Sequence, residues 1–199
     1  MPTNKFNEAE NYLLANWQQA CRVEKSLKEI RSKYAAICER VCEALAEEHP
    51  TLDLRRVRAT QFWCDGFIEI GRKEWQLSEN CKACIDIVNL RLELLLDDNG
   101  EHPFIGIWVG TSKKPAMDVK KVKRLLSSAN KILTMDELAM CETEDPSGYE
   151  YVLWYELPEK RADLVAMLLE GDGQRFVDCL VAHFEVFAKF IPILNEIFS

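Results

Sequence analysis

ACIDIVNLRLELLLDD (residues 83–98), NGEHP (99–103) and FIGIWV (104–109) follow one another in the middle of the chain, and their reading decides the fold. Val88, Leu90, Leu92, Leu94 and Leu96 occupy alternate positions, with Asn89, Arg91 and Glu93 between them. A period of two predicts a strand with one apolar and one polar face. Asn99-Gly100 supplies the residues a tight reversal favours, so the spacing predicts a second strand, 104–109, folded back antiparallel. The rest of the chain packs on this hairpin or adds to it.

Upstream, Phe62, Cys64, Ile68 and Ile70 alternate with Trp63, Asp65, Phe67 and Glu69, which predicts a strand before the hairpin. Downstream, Pro115 suits the first turn of a helix whose apolar face is Val119, Val122, Leu125, Leu126 and Ala129. Thr134 with Glu137 three residues on has the pattern of a helix cap. YEYVLWYEL (149–157) reads as a fourth strand. A helix follows to about Leu169, then Gly171-Asp172-Gly173, then a final apolar helix that Pro192 kinks near Lys189. The order α-β-β-β-α-β-α-α predicts an α+β domain with a mainly antiparallel four-stranded sheet, a long N-terminal helix and C-terminal helices packed on it.

Residues 1–50 form the N-terminal helical element and 51–199 the α+β domain. From Asn7 to Glu48 there is neither Gly nor Pro, and His49-Pro50 ends the run. Ala20, Val23, Leu27, Ile30, Tyr34, Ile37, Val41 and Ala44 alternate spacings of three and four, a heptad seam. Two arrangements fit it: a helix laid across the sheet and kinked near residues 18–21, or a coiled coil between chains. On the second, Leu27, Ile30, Tyr34, Ile37 and Val41 contact a partner and the protein is a homodimer.

Composition narrows the chemistry. At 199 residues and 48% hydrophobic content the chain can bury a substantial core. The polar, acidic N-terminus and the lack of a long apolar run predict a cytoplasmic protein with no membrane span. In that compartment the eight cysteines are thiols, not a disulfide framework. The eight glycines form no phosphate-binding pattern, and neither a nucleophile elbow nor a HExxH zinc motif is present. No cofactor is implied. Net charge is −8, which disfavours generic nucleic-acid binding. Even so, seven bases against one acid in 113–131 make Lys120, Lys121, Lys123 and Arg124 candidates for phosphate contact, with a second basic run at 55–58.

The first and second strands should bring Asp65 and Glu69 beside Asn89, Arg91 and Glu93. Asp65, Glu69 and Glu93 are then the candidate ligands of a divalent cation. The run α-β-β-β-α-β is similar in element order to the core of restriction-endonuclease-like nucleases. That resemblance implies an acid on the second strand, Asp86 or Glu93, and an acid and lysine on the third. Residues 104–109 offer neither of the last two. Trp63, Trp75, Trp108, Trp154 and Tyr155 are aromatic contact candidates on the sheet. The leading reading is a non-enzymatic, self-associating protein-interaction module. The alternatives are a degenerate or metal-dependent nuclease-like domain and a nucleic-acid-associated factor.

Overall fold

The computed structural model describes residues 5–57, 66–75, 81–97, 99–111, 119–143 and 151–198. Helix α1 (Glu8–Ala15) leads into α2 (Trp17–Glu48), followed by strands β1 (Asp53–Val57), β2 (Phe67–Gly71) and β3 (Cys81–Val88). Next come the short α3 (Leu92–Leu96), β4 (Phe104–Thr111), α4 (Val119–Ile132), α5 (Met135–Met140) and β5 (Tyr151–Glu156). Three helices close the chain: α6 (Arg161–Leu169), α7 (Gln174–Ala188) and α8 (Ile191–Phe198). All strand neighbours are antiparallel, and the sheet runs β1-β2-β3-β4-β5 in chain order. The predicted α+β class and the antiparallel meander of four strands, β2 to β5, are both present. One edge strand is added, β1, where the sequence shows only a basic connector.

The core lies on one face of the meander. Ile68 and Ile70 sit opposite Ile87 and Ile85, which sit opposite Ile105 and Ile107. All six are fully buried. Leu153 and Tyr155 extend this face onto β5. Helix α7 covers it with Phe176, Leu180, Phe184 and Phe187, and the Phe187 ring stacks on Tyr155 at 5.4 Å. The second half of α2 packs beside α7 through Tyr34, Cys38, Val41, Cys42 and Leu45. The break between α7 and α8 falls where Pro192 denies a backbone donor and crowds the carbonyl four residues earlier.

The hairpin departs from its expected form. Strand β3 stops at Val88, because Asn89 takes a left-handed conformation, φ 61°. Asparagine is among the residues that tolerate it. The Asn89 amide then donates to the His102 carbonyl at 3.0 Å. The leucines that follow are helical, and Leu92 and Leu95 are buried three positions apart on α3. Alternation in a run this rich in leucine satisfies a strand and a helix in part, and Leu and Glu favour the helix. Asn99-Gly100 does turn the chain, with Gly100 N–H donating to Asp97 C=O at 2.9 Å, but between α3 and β4. Strand 104–109 is where it was expected, paired from Val88–Phe104 to Cys81–Thr111. The first strand begins at Phe67, and residues 58–65 lie outside the description. Gly66 is required there: a Cβ on it would stand 2.5 Å from Arg91 N.

The first half of the N-terminal helix touches little else. A capping box at Asn7 starts α1, with Asn7 Oδ1 accepting from Glu10 N–H at 2.9 Å. The helix breaks at Asn16 and resumes at Trp17. No residue of α1 is buried, and in α2 burial begins at Tyr34. Residues 8–30 form an arm about 35 Å long at 1.5 Å per residue.

Candidate functional site

Among the described residues, three places bring chemistry-bearing or exposed apolar side chains together. The first is the arm. Val23, Leu27 and Ile30 are 53%, 47% and 49% exposed, whereas Tyr34, one turn further along the same seam, is 2% exposed. The seam therefore divides. Tyr34 and Val41 belong to this chain's own core, and the Tyr34 hydroxyl donates to Leu90 C=O at 2.5 Å. Ile37 is partly buried against that core. Leu27 and Ile30 lie on the arm. The exposed stripe also runs back past the expected seam, through Ala20 to Trp17, Leu13, Tyr12 and Phe6. Trp17 was not among the aromatic contact candidates, and its place at the start of the same helical run was the available signal.

At the base of the arm the stripe meets an apolar groove of about 600 Å³. Ile30, Tyr34, Ile37, Leu92, Leu168 and Leu169 line it, and Arg40 and Asp172 sit at its edge. Charge along the arm is asymmetric. Lys5, Glu8 and Glu10 stand at the start, a net −1, while Arg22, Lys25, Lys28, Arg31 and Lys33 outnumber Glu24 and Glu29 towards its foot, a net +3.

The second place is the sheet face turned away from α7. Glu69 on β2 stands directly opposite Asp86 on β3, and both are buried. Cys84 is on the same face of β3, and a ligand atom of each of the three lies within 4.8 Å of the others. The Tyr151 hydroxyl donates to Asp86 Oδ2 at 3.1 Å from β5, two strands away. It crosses above Gly106, where a Cβ would come within 2.9 Å of the Tyr151 ring and 2.7 Å of Trp154 Cβ. Of the expected row on this face, Glu69 is in place and Asp65 lies outside the described residues. Glu93 is not on the sheet: it sits in α3, 3.0 Å from Arg31 of α2. Asn89 and Arg91 flank the strand end and form no polar row with Glu69. The acid that does face Glu69 is Asp86, which the nuclease resemblance implies as the acid of the second strand. The aromatic candidates also divide: Trp75 and Tyr155 are core, and Trp108 and Trp154 are partly buried on this outer face. Trp63 lies outside the description.

The third place was not foreseen. Cys179 and His183 are one turn apart on α7, hence on one side of it. Glu159, in the bend before α6, meets them, and one ligand atom of each lies within 4.8 Å of the others. His183 Nε2 is 2.9 Å from Glu159 Oε2, and His183 Nδ1 is 3.0 Å from the Tyr155 hydroxyl. Burial, and then the neighbouring Glu159 carboxylate, push the Cys179 thiol up to about 12. Tyr155 is likewise held well above the ordinary phenol range, first by burial, then by surrounding thiols and carboxylates that include Cys141 and Glu159. A Cys-x₃-His pair has no signal of its own in a helix already read as apolar, and only the fold brings Glu159 to it.

The basic candidates lie on α4, whose apolar side is buried through Val122, Leu125 and Ala129. Lys120 and Lys123 are exposed, Lys121 Nζ lies 5.1 Å over the Phe198 ring, and Arg124 pairs with Glu196 of α8. Cys81-Lys82-Ala83-Cys84 spans the start of β3. Cys38 and Cys42 are packed in the core, where burial lifts both thiols to about 12. No described helix is long and apolar enough to cross a membrane. No protein-family model, curated protein or solved structure matches the chain.

Proposed function

We propose that this protein is a non-enzymatic interaction module that associates with a second copy of itself through its N-terminal arm, the two arms lying antiparallel. One observation carries the reading: the exposed apolar stripe from Tyr12 to Ile30 on a helical arm that stands away from the domain, with Phe6 just ahead of it. Phe6, Tyr12, Leu13, Trp17, Val23, Leu27 and Ile30 are each between 47% and 66% exposed. With aromatic side chains of about 150–250 Å², their exposed area is on the order of 800 Å² per protomer, the size of a standard interface.

Antiparallel pairing is favoured by charge and by continuity. With Ala20 of one arm beside Ala20 of the other, Leu13 faces Leu27. Glu8 and Glu10 then come beside the basic stretch around Arg31, the opposite-sign arrangement that sets orientation in helix pairs. Phe6 reaches the groove at the foot of the partner's arm, which Ile30 shares with the stripe. A parallel pair would instead align like charge with like.

Sedimentation velocity of the full chain at micromolar concentration, beside a Val23→Glu/Leu27→Glu variant, tests this. The wild type should sediment as a dimer and the variant as a monomer with an unchanged far-ultraviolet spectrum. A monomeric wild type defeats the proposal, and a larger complex that forms only with another protein replaces it with a heterotypic one.

The nuclease-like alternative retains one supporting observation, the buried Glu69–Asp86 pair. Calorimetric titration with Mn²⁺ should then give heat that Glu69→Ala abolishes.

A further inference from the structure

The geometry points to a zinc site formed by Cys179 and His183 of α7 with Glu159 from the bend before α6. The donor set is a thiol, an imidazole and a carboxylate, the three side-chain types that bind zinc. They come from two separate segments and converge within 4.8 Å of one another, close to the spacing that ligands about 2.0–2.3 Å from one tetrahedral ion require. A bound ion would take the place of the present His183–Glu159 hydrogen bond of 2.9 Å, with both groups turned onto the metal.

The surroundings favour this cluster over the two others among the described residues with comparable composition. His183 is already oriented. With the metal on Nε2, the ring proton resides on Nδ1, where the Tyr155 hydroxyl oxygen accepts it at 3.0 Å. That outer hydrogen bond fixes tautomer and ring direction in zinc sites. The side chains of His183 and Glu159 are 14% and 24% exposed, so the cluster is within reach of solvent. Glu48, His49 and Glu185 lack a thiol, and Glu48 is exposed. Glu69, Cys84 and Asp86 are all deeply buried, and Asp86 already accepts from Tyr151. The borderline-soft donor set of the α7 cluster selects zinc over magnesium or calcium, which take oxygen ligands. Three protein ligands and an open position are the arrangement of zinc sites that bind a water or an exogenous ligand.

Cobalt(II) is the probe, because a tetrahedral Co²⁺–thiolate centre absorbs in both the near-ultraviolet and the visible. Titration of the full-length protein should give a thiolate-to-cobalt charge-transfer band that saturates at one Co²⁺ per chain and is erased by Zn²⁺. Cys179→Ala should abolish the band and Cys21→Ala, on the exposed arm, should leave it intact. Tyr155→Phe should keep the band while weakening Co²⁺ binding by about 10–100-fold, the usual cost of an outer-sphere partner. Glu159→Gln, near the surface, reports independently should Cys179→Ala fail to fold, and should weaken binding and change the visible bands. No charge-transfer band, a band that survives Cys179→Ala, or affinity unchanged by Glu159→Gln would each overturn the assignment.

Discussion

Ile30 and Tyr34 are one turn apart on the same helix and the same seam, yet they should respond oppositely to substitution. Take Leu27→Ala/Ile30→Ala on the arm and Leu45→Ala in the core as the pair to compare. Leu45 is 1% exposed, so its truncation loses transfer energy and leaves a cavity, at about 2–5 kcal/mol. For a chain of this size each kcal/mol moves the melting temperature by roughly 2–4 °C, so Leu45→Ala should lower it by roughly 4–20 °C. Leu27 and Ile30 are half exposed, so about half of their 1.5–3 kcal/mol burial energy is left for a partner to supply. At about 1 kcal/mol per position, the four side chains of a dimer contribute ~4 kcal/mol, or roughly a thousandfold in Kd.

The double variant should therefore raise the dimer dissociation constant about a thousandfold. It should lower the dissociated chain's melting point by less than Leu45→Ala does, because Leu27 and Ile30 are half exposed whereas Leu45 is 1% exposed. Because association itself stabilises, the melts are compared at protein concentrations below the wild-type dissociation constant. Analytical ultracentrifugation and thermal circular dichroism together read both quantities. If Leu27→Ala/Ile30→Ala lowers the melting point of the dissociated chain as much as Leu45→Ala does, the arm is part of the core and the division of the helix is wrong.

Gly106→Ala should destabilise the fold by about 1–3 kcal/mol, because its Cβ meets Trp154 Cβ at 2.7 Å and Tyr151 at 2.9 Å. Urea unfolding measures it, and a neutral result would mean that Tyr151 does not cross β4 to reach Asp86. Alkaline stability follows from the buried thiols. Cys38 and Cys42 ionise near 9.0 when unfolded and at about 12 when folded. Their contribution is thus fully present below about pH 9 and should be lost as pH rises from there through 12. Urea midpoints measured across that range should fall with increasing pH. Cys38→Ser/Cys42→Ser should flatten the fall, and an unchanged slope in that variant would show that the two thiols are not its source.

The fold was legible wherever a local pattern had one structural answer. The helix start at Thr134 needed only its own four residues: the Thr134 side chain accepts from Glu137 N–H at 3.2 Å, and the Glu137 carboxylate accepts from Thr134 N–H at 2.8 Å. The end of α2 at His49-Pro50 and the break before Pro192 follow from proline's missing donor. Strand 104–109 is β-branched and aromatic over its whole length apart from Gly106, and a helix gains little there. Residues 90–96 had two answers. Their leucines satisfy a period of two and a helical face alike, and the Asn89 turn together with the close approach of Gly66 to Arg91 selected the helix.

The candidate sites were less legible, because each depends on segments distant in sequence. The amino-acid sequence by itself determined the α+β class, the antiparallel meander and the apolar seam of the N-terminal helix, since periodicity and turn chemistry act over a few residues. Only the tertiary structure decided that the seam changes role near residue 31, because burial there depends on segments far along the chain, Leu90 and Phe176, that meet Tyr34. Only the register of β2 against β3 set Glu69 opposite Asp86. Only the packing of α7 on β5, with the bend before α6 folded over it, brought Cys179, His183 and Glu159 to one point. A residue's neighbours along the chain carry its secondary structure, whereas its chemistry is set by neighbours that the fold supplies.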